Sequence, residues 1–186
     1  MPFDSYTLSD ALAVSVWLNV FVRQSKHIGM ANIAQSVNVI SPLMTDKTGI
    51  TKQSTWWPLL LFSKYMRGSA LAVHLRCGVY DGPTRPEWIR GTMETPWLDV
   101  SAAIDHKGKT TLAVVNICPD TDIEAHIDGI SSLQVAEVYT VSASTIGSTH
   151  ATGEGEVLVQ GGTWNGGGRY SFPKHSLTML RWHSAA

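Results

Sequence analysis

Three amides, Asn32, Gln35 and Asn38, interrupt an otherwise apolar stretch from His27 to Pro42 that reads HIGMANIAQSVNVISP. An amide is costly to bury without partners, so Gln35 and Asn38 need hydrogen bonds. Two kinds of partner would satisfy them. One is functional: a sugar hydroxyl, or a catalytic carboxylate that they orient. The other is the backbone of a neighbouring loop. Tryptophan offers a second possible chemistry, since a flat indole can stack on a sugar ring. The chain carries seven. Trp56, Trp57 and Trp97 share that potential, and Trp88 and Trp164 lie in loop-like sequence and are the better ligand candidates. Trp17 and Trp182 fall within apolar patterns and are expected in the core.

Other chemistries lack the pattern they require. The seven histidines are scattered from His27 to His183 without HExxH or paired spacing, so no metal and no cofactor is expected. No G-x-S-x-G elbow is present. The glycine-rich stretch from Thr145 to Gly168 is followed by strand-like sequence, whereas a phosphate cradle leads into a helix; a flexible hairpin is expected instead. Fifteen acidic residues leave a carboxylate pair open by count. Their placement argues against it: many sit in turns, such as Asp120, Asp122 and Asp128, and none lies at the end of the amide-bearing stretch.

The 186 residues suit one ordinary domain or two small ones, and 44% hydrophobic with 16% charged residues allows a packed core. A net charge of −1 with scattered Lys and Arg gives no basic stripe, so nucleic acid is not an expected partner. No apolar run approaches the roughly 20 residues that span a bilayer, so neither is a membrane. Cys77 and Cys118 have no metal-type spacing and are expected as buried free thiols. The start, MPFDSYTLSD, lacks a basic segment followed by an apolar run, so no signal peptide is expected. A complete chain would then be cytoplasmic, whereas a fragment could belong to a secreted protein.

The elements that must position these residues divide into two textures. Thr7 with Asp10 three positions on suggests a capping box. A helix is expected from Leu8 to about Lys26, with apolar residues around most of its circumference. Gly29 to Ala34 reads as a buried strand, Leu43 to Lys52 as a loop with a turn at Asp46–Gly49, and Thr55 to Arg67 as a second helix stopped by Gly68. Beyond Gly68 lies a short apolar run, 70–76, and then a Pro-, Gly- and Arg-rich loop. Strand-like runs follow at 98–105, 110–117, 123–127, 134–142, 157–160, 170–173 and 176–182. Their spacing is that of an antiparallel sandwich.

Helix, strand and helix in the first 67 residues carry a resemblance. TLSDALAVSVWLNVF, MANIAQSVNVISPLMTDKTGITKQSTWWPL and FSKYMRG together resemble the C-terminal portion of family 51 glycoside hydrolases, the α-L-arabinofuranosidases, and the fungal members most closely. The resemblance implies an α/β remnant, residues 1–67 being the last helix-strand-helix of a (β/α)8 barrel, plus an all-β antiparallel sandwich over 68–186. It also implies a sandwich built partly from residues before the barrel, and hence one with an open edge here. The family role is hydrolysis of terminal α-L-arabinofuranosyl groups of arabinan or arabinoxylan by a retaining mechanism with two glutamates. Both glutamates lie upstream of the segment matched here, so the chain is expected to be inactive alone. Gln35 matches a substrate-contacting glutamine, and Asn38 is carried over beside it. Expected partners are an arabinofuranosyl-containing polysaccharide or oligosaccharide, and the missing N-terminal part of the enzyme. A non-catalytic carbohydrate-binding or structural sandwich, or one chain of a two-chain enzyme, are the alternatives.

Overall fold

Thr7 opens the first helix as the sequence suggests. Its hydroxyl accepts from the Asp10 backbone N–H, and the Asp10 carboxylate accepts from the Thr7 N–H at 2.8 Å. The computed structural model describes residues 5–84, 86–89, 94–128, 135–149 and 157–183. Helix α1 runs from Leu8 to Arg23. Its first two N–H groups donate to the carbonyls of Ser148 and Ile146, so tertiary contacts satisfy donors that the helix itself cannot. Strands β1 (Leu43–Thr45) and β2 (Ile50–Lys52) form a hairpin, followed by α2 (Trp56–Tyr65). The remaining strands are β3 (Ser69–Leu71), β4 (Leu98–Ile104), β5 (Lys109–Asn116), β6 (Ile123–His126), β7 (Ala136–Ser142), β8 (Leu158–Trp164), β9 (Arg169–Phe172) and β10 (Ser176–His183).

Six of these strands form one antiparallel sheet in the order β3-β4-β5-β10-β7-β8, while β6 and β9 pair separately. The central strands of the six-stranded sheet, β5 and β10, are buried on both faces. Ala113 and Val115 of β5, with Leu177 and Met179 of β10, pack against Leu8, Leu12, Leu61 and Phe62 of the helices. The alternate residues Leu112, Val114, Leu180 and Trp182 point to the other side, where Phe172 of β9 closes a second core. Two-residue alternation with both parities apolar is why β5 and β10 read as continuous hydrophobic runs. The architecture is therefore mostly antiparallel sheet with two helices on one face and a two-stranded sheet on the other.

Helix α1 is clamped as well as packed. Asn19 is fully buried; its amide donates to the Asp99 carbonyl at 3.1 Å and carboxylate at 2.8 Å, and its oxygen accepts from the Ser101 hydroxyl. Arg23 grips the same carboxylate with both terminal nitrogens. The end of α2 is held by a second polar group. Tyr65 stacks on Tyr139 at 4.7 Å between ring centres, and the Arg181 guanidinium lies 5.0 Å above Tyr65. Arg181 pairs with Asp105 at 2.8 Å, and Lys109 with Glu137 at 2.8 Å.

Hydrogen bonds, led by the Lys109 backbone N–H, hold Asp105 below the ordinary carboxylate range, and the Lys109 ammonium does the same for Glu137. A depressed carboxylate adds stability above its unfolded value and loses it as pH falls through its folded one. Urea unfolding is therefore expected to become easier as pH drops below about 4, and Asp105→Asn to flatten that dependence. An unfolding midpoint in the variant with the same pH slope as the parent would refute this.

Gly68 ends the turn after α2 at φ +97, with the Ile104 carbonyl oxygen against the place a Cβ would take. Gly68→Ala combines a left-handed backbone with that collision, and a loss of about 2–3 kcal/mol is expected in chemical denaturation.

Several local expectations are corrected. Residues 29–34 form no strand, and the whole of 29–37 is exposed. A single apolar segment has no ladder without neighbouring strands, and no described strand pairs with it. Residues 43–52 are a hairpin rather than a loop; the Asp46 carboxylate accepts from the N–H groups of Thr48 and Gly49 to shape its turn. Trp17 is 62% exposed, not core, whereas Trp182 is core at 4%. Of 70–76 only the first two residues are paired, as part of β3. Glycines 166–168, all at positive φ, carry the chain from β8 in the large sheet to β9 in the small one, so this is a crossover rather than a hairpin. Part of that glycine-rich stretch, 150–156, lies outside the described residues. Cys77 and Cys118 are free thiols, half-buried rather than buried.

Candidate functional site

The amide-bearing segment is held from its far end. Ser41 and Pro42 are buried beneath the β1–β2 hairpin, and Gln53, 5% exposed, ties this base together. The Gln53 side chain accepts from the Tyr6 N–H at 2.9 Å and donates to the Ser41 carbonyl at 3.1 Å, and its N–H donates to the Pro42 carbonyl. The Tyr6 hydroxyl reaches the Ile40 carbonyl at 2.9 Å. From this base the chain projects outward, with Met30, Ile33, Val37, Val39 and Ile40 exposed. The sequence pointed to the amides of 32–38 but not to Gln53. A buried glutamine just before a helix carries no local signal that distinguishes it from a surface one.

The two candidate residues differ. Asn38 is engaged: its Oδ1 accepts from the Thr45 N–H at 2.8 Å and its Nδ2 donates to the Thr45 hydroxyl at 3.1 Å. It ties the segment to β1, the loop-backbone role open from the sequence. Gln35 makes no side-chain hydrogen bond to any described residue and stands exposed. Gln35 (φ 57), Asn38 (φ 60) and Val39 (φ 53) all lie in the left-handed region. For a β-branched valine that is a costly conformation, and such strain gathers where surroundings or function impose it.

Of the tryptophan candidates, Trp88 stands 75% exposed on a single 3-10 turn, Glu87–Ile89. Trp164 is half-buried, with its ring edge-on to Tyr170 at 5.6 Å, and so is a wall of the second core. Among the described residues no group of three His, Cys, Asp or Glu side chains is placed to hold a metal ion, and no helix is long and apolar enough to cross a membrane.

The family profile described as the alpha-L-arabinofuranosidase C-terminal domain matches residues 2–176. The chain belongs to the α-L-arabinofuranosidase family. The chain is 60% identical over 179 residues to the probable α-L-arabinofuranosidase C of Aspergillus flavus, covering 96% of this chain and 35% of that protein. The α-L-arabinofuranosidase C of Emericella nidulans is 55% identical over the same share of each. This arabinofuranosidase-family chain thus spans about a third of the length of the curated relatives it matches. The GH51 α-L-arabinofuranosidase structure from Thermotoga petrophila has the same fold over 96% of this chain and 39% of its own, with a TM-score of 0.83 at 18% identity.

Proposed function

We propose that this arabinofuranosidase-family chain is a C-terminal module that completes an active centre without supplying its catalytic carboxyls. In this reading the complete assembly removes terminal α-L-arabinofuranosyl groups from arabinan, arabinoxylan or their oligosaccharides. Residues 1–67 are the closing helix, strand segment and helix of a (β/α)8 barrel, and 68–186 the sandwich beside it. Gln35 faces the sugar at the rim, and Asn38 shapes the segment that presents it.

The observation that carries this reading is the distribution of exposed apolar side chains. Trp17, Met30, Ile33, Val37, Val39, Ile40, Ile50 and Leu60 all lie exposed within the first 67 residues. A surface this apolar over so short a length is the mark of an interface. The absent strand at 29–34 fits the same account, because a barrel strand pairs only when its neighbours are there. The test is co-expression with the upstream portion of the Aspergillus flavus relative: arabinofuranosidase activity is expected in the complex and not in either part.

A second reading, a carbohydrate-binding sandwich, rests on the exposure of Trp88. It requires arabinoxylan binding by the chain alone, abolished by Trp88→Ala; retention of a tagged chain on soluble arabinoxylan gels measures it.

A further inference from the structure

The crossover from β8 to β9 holds a residue pair that the fold leaves chemically open. Asn165 follows the last rung of the β7–β8 ladder, where Trp164 faces Ala136, and it precedes Gly166. The next tie along the chain is the Gly168 carbonyl, which accepts from the Ile127 N–H at 2.7 Å. Between the two, residues 165–167 make no hydrogen bond to a described residue. Asn165 is exposed. Gly166 (φ 78) and Gly167 (φ 104) lie in the left-handed region that glycine adopts without steric cost.

The other four asparagines supply the contrast. Asn19 and Asn116 are fully buried. The Asn19 amide is held by Asp99, and the Asn116 amide donates to the carbonyls of Thr121 at 3.1 Å and Phe172 at 3.0 Å. Asn38 is spent on Thr45. Asn32 is exposed, as Asn165 is. Yet each of these four precedes a β-branched residue: Val20, Ile33, Val39 or Ile117. Two heavy atoms on the following Cβ crowd the backbone nitrogen between the residues and stiffen its surroundings. Asn165 alone joins an exposed, unbonded amide to a following glycine, and no ladder fixes the rotation that would bring the two groups together.

We propose that Asn165 is a site of spontaneous covalent modification, where the Gly166 backbone nitrogen closes onto the side chain and converts the amide to aspartate and isoaspartate. The Gly166 N–H gives its proton to hydroxide, and the nitrogen lone pair forms a bond to Asn165 Cγ. The Cγ–Nδ2 bond breaks, and Nδ2 takes a proton from water and leaves as ammonia. Water then adds to the cyclic imide. Opening at Cγ gives aspartate; opening at the main-chain carbonyl carbon gives isoaspartate, in which the chain runs through the former side-chain carbon. The balance is one water consumed and one ammonia released, with nothing oxidised or reduced. Either product adds a negative charge to a chain of net charge −1. Isoaspartate also lengthens the covalent link between the six-stranded sheet and the β6–β9 pair.

The intact chain is aged in mildly alkaline buffer at growth temperature, beside a sample unfolded in urea. Peptide mapping by mass spectrometry follows the change from amide to acid at each asparagine. Isoaspartate is read by transfer of a labelled methyl group with a protein-isoaspartate methyltransferase. In the folded chain Asn165 is expected to convert at least about tenfold faster than Asn32, with Asn19, Asn38 and Asn116 unchanged. The label is expected on the peptide that contains residue 165. Asn165→Gln, a surface change that forces a larger ring on the attack, is expected to take up no label there. Loss of the Asn165 amide at the rate of Asn32 would overturn the proposal. So would acid without any isoaspartate label, which means direct hydrolysis, or conversion confined to the unfolded sample, which means that the native crossover shields the pair.

Discussion

Incubated alone with a chromogenic α-L-arabinofuranoside, the purified chain is expected to release product no faster than buffer. Retaining hydrolysis needs two carboxyls about 5–5.5 Å apart, one of them held protonated as the acid. Six of the described carboxylates are committed elsewhere. Asp99 is bound by Arg23 and Asn19, Asp105 by Arg181, Glu137 by Lys109 and Glu124 by Arg169. Asp46 closes a turn and Asp10 caps a helix. Among the described residues the acids that shift, Asp46, Asp105 and Glu137, shift down, whereas a general acid must shift up. Enzymes of ordinary competence exceed the uncatalysed rate by about a millionfold or more, so the outcome is not marginal. In the complex with the upstream portion that rate should appear. Gln35→Ala there is expected to lower kcat/KM about tenfold to a hundredfold, the size of one hydrogen bond to a sugar hydroxyl. Glycosidase-level turnover by the isolated chain would falsify the proposal.

Asn19→Leu is expected to cost about 2–4 kcal/mol. Leucine is close in volume, so the effect is not a cavity. It removes the two donors that reach the Asp99 carbonyl and carboxylate and the acceptor for Ser101. The Ser101 hydroxyl is left buried without that partner, and Asp99 is left to Arg23 alone. Equilibrium urea unfolding measures it. A double variant, Asn19→Leu with Ser101→Ala, is expected to recover part of the loss because it removes the stranded hydroxyl as well. A single-variant cost below about half a kcal/mol would mean that packing alone holds α1 to the sheet.

Asn19 also shows where sequence reasoning stops. The α1 start was legible because capping is local: Thr7 and Asp10 meet whatever else the chain does. The antiparallel strands 98–105, 110–117 and 176–182 were legible from their apolar runs and turn punctuation. The partner of Asn19 lies 80 positions away, and no pattern within α1 announces it. Trp17 failed for a related reason. The apolar residues of α1 extend round most of the helix, and periodicity cannot say which arc meets the sheet and which stays open. At 29–34 the composition was that of a strand, but a strand is a relation between segments, and no described segment pairs with this one. For the site, the amides drew attention to the segment. That Asn38 would be spent on Thr45 while Gln35 stayed free depends on the hairpin register, which becomes legible only once Leu43–Thr45 is paired with Ile50–Lys52.

The position of β10 has a consequence for how the molecule comes into being. Ser176–His183 is the last of the described strands along the chain, yet it lies in the middle of the six-stranded sheet, with β5 on one side and β7 on the other. A ribosome delivers β3, β4 and β5 as one paired group, and β7 and β8 as another, before the strand that joins them has been made. Until those residues clear the exit tunnel, β5 and β7 each wait with an open edge, and Val114 and Val138 lack the Leu180 they pack with. Joining distant segments this way makes folding slow and leaves an aggregation-exposed intermediate until β10 has been made. A chain interrupted before Ser176 would therefore hold two half-sheets without the strand that joins them.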